Sequence, residues 1–364
     1  MSQLDPIDEM LRQHFELELL FDDGEGGKGP SGWQCVNPWA TRLEEAIADL
    51  QRGLAANEYR YLDDDDALKE ALIERHARID GVRPESILCG EGASAILFAF
   101  CIWLKTRGIS EVYYVPPLYF TLHNALKLLG IKARSISGRQ PFESGFWANL
   151  PRGKAALLLT DPVWYAGIAV PNGTIDDIVR WQRDTGSLVF VDGCFQYMAW
   201  NRTVSERSAL LDPSQTVRLL CPTKTVALHG FRFAYALAPE DVAQKISHYY
   251  AWTHGSASAS SVAFAHTFAG GEFDRQVTLA LIAAAAERHR SLRDDGLIEA
   301  PWNPGCGYFT FERPGGFLLN DAVLMDGGYF EQKRFAEFVR LNLLSPSLWA
   351  AEPGRSRLTP RPFP

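Results

Sequence analysis

Long apolar runs are scarce in this 364-residue sequence. The longest, AILFAFCIWL at 95–104, falls well short of the roughly 20 residues that a bilayer-spanning helix needs, so no membrane partner is expected. Positive charge is also in deficit, with 36 Lys and Arg against 44 Asp and Glu and a net charge of -8. A chain so charged has no global basic field to attract nucleic acid or an anionic membrane surface. The six cysteines, at 35, 89, 101, 194, 221 and 306, show no C-x-x-C spacing, which argues against both a zinc site and a disulfide framework. A reduced, cytoplasmic location is the expectation. Asp5, Asp8 and Glu9 near the start argue against a signal peptide. A phosphate loop is missing as well: Gly29 follows Gly27-Lys28 where Ser or Thr is required, and no strand precedes it.

What is present reads as a globular chain, 46% hydrophobic and 22% charged, long enough for two domains. Helices are expected at 7–20, about 39–54, and across DDDDALKEALIERHARI, where acidic residues complement a helix N-terminus. From SILCG onward the two structural periods alternate. Strands are expected at EVYYV, IKARSI, AALLLT, LVFV, VRLLC and FRFAYALA, with helices at about 94–106, at FTLHNALKLLG and at TIDDIVRWQRDTG between them. Uniformly apolar strands alternating with helices imply a mainly parallel sheet covered on both faces, an α/β fold. Beyond about residue 250 the pattern changes to a long helix near 274–294 and then short elements, which places a second domain there.

In such a sheet, ligands bind at the carboxyl ends of the strands. Those ends carry Gly90–Ser94, Pro116–Tyr119, Asp161–Gly167, Asp192 and Cys221–Lys224. Lys224 stands eight residues before Arg232 in an otherwise uncharged stretch, CPTKTVALHGFR. A turn lysine with a snorkelling arginine is the plain structural alternative. The chemical reading is an amine that forms a Schiff base, beside a guanidinium that grips an anion.

These residues resemble the motifs of fold-type I pyridoxal-phosphate (PLP) enzymes. The nearest branch is the class I/II aminotransferase family that includes histidinol-phosphate aminotransferase and threonine-phosphate decarboxylase. TKTVALHGFR resembles S-K-x-x-x-x-x-G-x-R, VFVDGCF resembles V-V-D-E-A-Y, PPLY resembles P-x-Y, GEGAS resembles G-x-G-S, and YRYLDDDDALKEAL resembles the R-Y-P-D…L-R-x-x-L segment. The resemblance covers roughly residues 55–360 and holds these motifs in one order. It implies a seven-stranded, mainly parallel sheet sandwiched by helices, plus a smaller α+β domain. Residues 1–54 would form an arm or part of the small domain, 55–250 the large PLP-binding domain, and 251–364 the small domain. Lys224 would carry the cofactor, Asp192 would keep the pyridine nitrogen protonated, and Tyr119 would stack on the ring. Gly92, Ala93, Ser94, Cys221, Thr223 and Arg232 would surround the phosphate. Tyr61 would reach the phosphate of a neighbouring subunit, which implies a homodimer with shared sites.

Two departures from the family pattern stand out. Trp164 in DPVWYAG occupies the place of the family's asparagine, and Phe195 in DGCF the place of its tyrosine. Both family residues donate to the cofactor's phenolic oxygen, whereas phenylalanine donates nothing and tryptophan offers one N–H on a bulky ring. Tyr165 or Tyr197 would be the compensating donors. Three readings therefore stay open: an aminotransferase passing an amino group from an amino acid to a 2-oxo acid, a lyase, cyclase or decarboxylase on the same fold, and a non-catalytic PLP-binding protein. The substrate carboxylate would be held by Arg357 in RLT, with Arg355 as the second candidate. Arg357→Ala is expected to raise the KM for the amino acid more than Arg355→Ala does, because a bidentate contact is lost. Steady-state kinetics in the reverse order would move the carboxylate site by two residues.

Overall fold

The computed structural model describes residues 34–346 apart from 56, 203–205, 272–273, 300, 315–322, 327–334 and 336. The helix expected at 7–20, Arg355 and Arg357 lie outside the described residues. The chain divides into two compact units: a larger one of 37–286 and 302–308, and a smaller one built from 287–301 and the segments from 309 onward together with the residues up to Val36.

The larger unit is organised on a seven-stranded sheet, β1 (Ser86–Gly90), β2 (Glu111–Tyr114), β3 (Lys132–Ser135), β4 (Ala156–Thr160), β5 (Leu188–Asp192), β6 (Thr216–Leu220) and β7 (Ala234–Ala238). Its order is β1-β7-β6-β5-β4-β2-β3. Strands β3, β2, β4, β5 and β6 are parallel, while β7 runs antiparallel to both neighbours. Period-two alternation assigns the faces. Leu158, Phe190, Val217 and Leu219 join one core with α3 (Ala93–Thr106), α4 (Phe120–Leu128) and α6 (Glu240–Thr253). Leu157, Leu159, Val189 and Val191 point the other way, onto Ile175, Ile178 and Trp181 of α5 (Asn172–Thr185). Helix α3 is apolar almost all round and is buried accordingly.

Two further helices flank the sheet. Helix α2 (Asp66–Asp80) starts at the aspartate run, where Asp65 accepts a 2.9 Å hydrogen bond from the Leu68 amide and so caps the first turn. Asp63 accepts from the Cys89 amide at 2.8 Å and pairs with Lys69 at 3.1 Å. The domain boundaries expected at 54 and 250 differ from the observed division. Helices α1 (Thr41–Arg52) and α7 (Ala259–Gly270) belong to the larger unit, because α7 packs on α1 and α2. Its Phe264 and Phe268 meet Phe231, Phe233 and Tyr235. The division then falls inside α8 (Asp274–Asp294), between Ala286 and Glu287. In the smaller unit an antiparallel sheet runs β10 (Val323–Asp326), β11 (Val339–Asn342), β9 (Phe309–Pro314), β8 (Ile298–Glu299). Among the described residues no helix is long and apolar enough to cross a membrane.

Behind the sheet a buried polar network joins α2 to β6. The His76 ring bonds Asp80 at 3.0 Å through Nδ1 and Tyr235 at 2.8 Å through Nε2. Tyr197 donates to Asp80 at 3.0 Å, and Arg218 donates to both Asp80 and Tyr197. Burial outweighs the Asp80 hydrogen bond and, with Arg218 close by, holds the His76 pKa down at about 4. The unfolded chain therefore takes up this proton first, near pH 6.5. The stabilisation from keeping His76 neutral is complete above that pH and is lost as pH falls toward 4, on the order of 3 kcal/mol. His76→Gln is expected to flatten the decline of Tm between pH 6.5 and 4. An unchanged slope would place the acid sensitivity elsewhere.

Candidate active site

The reversal of β7 builds the site. Strand β6 ends at Leu220, a single helical turn covers Pro222–Thr225, and a 3-10 turn covers His229–Phe231. The chain then re-enters the sheet as β7, with Ala234 opposite Gly90 and Tyr235 opposite Leu220. Residues 221–233 therefore never leave the edge where β1, β4, β5 and β6 present their carboxyl ends. Arg232 holds a left-handed conformation, φ 53°, and its guanidinium lies against the bare Cα of Gly92. A Cβ on Gly92 would sit 2.5 Å from Arg232 Nη2, and Gly92 itself has φ +89°. Only glycine suits both the backbone and the contact. Gly92 is also the N-cap of α3, whose first amides have no intrahelical acceptors. A guanidinium and the positive end of a 14-residue helix thus converge on one point, an arrangement suited to a phosphate.

The neighbouring strand supplies the opposite charge. Asp192 ends β5, is 4% exposed and accepts a 3.3 Å hydrogen bond from the Cys194 amide. Burial pushes its carboxyl above the usual range, and no cation among the described residues offsets this. On the cationic side, burial first, then Lys224 and Arg232, drive His229 down to a pKa of about 3, so its imidazole is neutral. Tyr308 donates to the Lys224 carbonyl oxygen at 3.1 Å and lies 3.4 Å from His229 Nε2. The Cys221 thiol is lowered to about 6 by a hydrogen bond with Cys194 and by the charges of Lys224 and Arg232, against the effect of burial.

Aromatic rings close the remaining sides. Tyr119 precedes α4 and meets Trp164 edge-on at 5.7 Å and 87°. Phe195 meets Tyr308 at 5.6 Å and 67°. Thr223 is buried, Ala93 half-buried and Ser94 exposed. Tyr61 is 46% exposed on the larger unit. Of the two tyrosines considered as replacement donors, Tyr197 is committed to Asp80 and Arg218, and Tyr165 is fully buried between Trp164 and Phe142. His229 and Tyr308 were not among the residues expected here. His229 sits inside the quoted lysine–arginine stretch, whereas nothing in the spacing of Tyr308 marks it.

A family model described as aminotransferase class I and II matches residues 35–305. The chain belongs to that family. Among its relatives, a histidinol-phosphate aminotransferase of Chlorobium luteolum is 27% identical over 178 residues, 48% of each chain. An aspartate aminotransferase of Sulfolobus acidocaldarius is 23% identical over 215 residues, 56% of this chain and 53% of that one. The chain thus spans about half the length of the curated relatives it matches. Two solved structures share the fold: an aspartate aminotransferase from Rhizobium meliloti, with a TM-score of 0.70, 17% identity and coverage of 93% and 92%, and an N-succinyldiaminopimelate aminotransferase from Mycobacterium tuberculosis, with 0.72, 15%, 94% and 96%.

Class I and II aminotransferases depend on PLP, and the residues present fit it. The Gly92–Arg232 cradle admits the phosphate, and the unopposed buried Asp192 suits a pyridinium nitrogen. Gly92→Ala is expected to weaken PLP binding about ten- to hundredfold, since the new methyl displaces Arg232 from the anion. Titration of the apoprotein by cofactor absorbance measures this, and an unchanged Kd would remove Arg232 from the phosphate site.

Proposed function

We propose that this chain is a PLP-dependent aminotransferase that takes an amino group from an amino acid through Lys224 and passes it to a 2-oxo acid. The observation that carries this reading is the convergence of Lys224, Arg232, Gly92 and Asp192 at one sheet edge, in a member of the class I and II family. The cofactor, when bound, supplies an electron sink for the bond broken at the substrate Cα. Lys224 provides the amine that attaches the cofactor and that moves the proton at Cα. Asp192 holds the proton on the ring nitrogen, and its burial makes that pairing strong because little water competes. Tyr119 and Trp164 pack against the ring, and Gly92, Ala93, Ser94, Cys221, Thr223 and Arg232 surround the phosphate. Arg357, or in its place Arg355, receives the substrate carboxylate. Exposed Tyr61, beside Tyr59 at 82% exposure, supports a homodimer in which each subunit lends an aromatic hydroxyl to its neighbour's phosphate.

One observation favours a second reading. Trp164 and Phe195 are 7% and 5% exposed, so the positions that donate to the phenolic oxygen in the family are packed and largely apolar. A lyase, cyclase or decarboxylase on this fold accommodates that change. Amino-group transfer to a panel of 2-oxo acids separates the two, and an enzyme that releases product without consuming any acceptor would replace the first reading with the second.

Borohydride reduction of the holoenzyme followed by peptide mass analysis is expected to place the pyridoxyl group on Lys224, and Lys224→Ala to abolish it. Asp192→Asn is expected to lower kcat about 100-fold or more while shifting Tm by only a few degrees. A pyridoxyl group on another lysine, or near-normal turnover in Asp192→Asn, would sink the assignment.

A further inference from the structure

A cavity of about 180 Å³ lies within the larger unit between α2, α7, α8 and the chain around Pro222. Of the residues assigned to the cofactor, Cys221 alone lines it, and Gly92, Tyr119, Trp164, Asp192, Lys224 and Arg232 do not. Its charge runs against that of the chain: four arginines, Arg75, Arg78, Arg202 and Arg275, face it against a single carboxylate, Asp274. That carboxylate is already used. Arg75 donates to Asp274 at 2.5 Å and lies 4.3 Å over the Phe268 ring, which fixes its guanidinium in place. Arg78, Arg202 and Arg275 are exposed and form no ion pair among the described residues. The chain carries a net charge of -8, yet among the described residues Asp274 is the single carboxylate that lines this cavity. Arg78 feels Glu74 one turn earlier on α2, but with Arg202 and Arg275 it still leaves an excess of positive charge around one concavity, which an anion would offset.

The cavity also touches the catalytic segment from outside. Pro222 and Thr225, which flank the turn bearing Lys224, form part of its wall. Thr278 of α8, on the same wall, donates to the Thr225 carbonyl oxygen at 3.2 Å. An occupant held by Arg75 and Arg275 therefore bears on the residues that orient Lys224.

We propose that this cavity is a regulatory site for a compact polyanion, separate from Lys224, Asp192 and the Gly92–Arg232 cradle. Its volume of about 180 Å³ accommodates a small di- or tricarboxylate or a phosphate ester. Guanidinium forks recognise either chemistry, through paired anionic oxygens.

The test uses holoenzyme, in which the cofactor already fills the phosphate cradle. Calorimetric titration with citrate and, separately, with pyrophosphate at low salt is expected to show saturable binding of at least one. The better of the two identifies the carboxylate or phosphate class. The Arg78→Gln/Arg275→Gln double variant is expected to bind about tenfold or more weakly, with its ligand-free Tm and cofactor absorbance unchanged. Binding to wild type should also shift the cofactor absorbance, and this shift should vanish in the variant. Arg75 is left intact because it anchors Asp274. No saturable binding of either probe, binding unchanged in the double variant, or binding without any spectral response would overturn the proposal.

Discussion

Because β7 runs against both β1 and β6, the thirteen residues between Leu220 and Ala234 stay at the one sheet edge where the parallel strands deliver their carboxyl ends. A parallel β7 would require a crossover to the far edge and would carry Arg232 away from both Lys224 and Gly92. The short return instead holds lysine and arginine in one local segment and pins that segment, through Gly90–Ala234 pairing, to the turn that opens α3. The close contact of Arg232 with Gly92 follows from this geometry, and so does the identity of residue 92 as glycine.

Charge is partitioned by strand. Parallel pairing of β5 with β6 sets Asp192 opposite Leu219, so the carboxylate ends one strand and the cationic segment leaves the next. Asp192 is desolvated with no cationic partner among the described residues, while burial, with Lys224 and Arg232 nearby, keeps His229 neutral. In the proposed function, Asp192 would face a pyridinium and the Gly92–Arg232 cradle would hold a phosphate. Tyr308 bonds the lysine's backbone carbonyl oxygen, and the neutral imidazole lies against the Tyr308 hydroxyl.

Tyr308 reaches this place because 302–308 returns to the larger unit late in the chain. The return is tied by the Trp200 amide to the Gly305 carbonyl oxygen at 2.7 Å and by the Gly305 amide to that of Gly167 at 2.8 Å. Phe195 is covered by the Tyr308 ring. Tyr308 thus brings a residue from late in the chain against both Phe195 and the Lys224 segment.

The order of strands and helices through β7, and the residue type at each strand end, were legible because periods of 2 and 3.6 are local properties that a single segment displays. Lys224, Asp192 and Arg232 could be picked out for the same reason: each ends or begins an apolar run. The helices α6 and α7 were not expected, although Val242, Ala243, Ile246 and Tyr250 follow helical spacing. Their packing also drew 251–286 into the larger unit, and no composition shift marks the division inside α8. The contact of Gly92 with Arg232, the neutrality of His229, the arrival of Tyr308 and the arginine-lined cavity were decided only by the tertiary structure. Each joins residues whose separation in sequence carries no periodic or spacing signal, so only the sheet order and the direction of β7 bring them together.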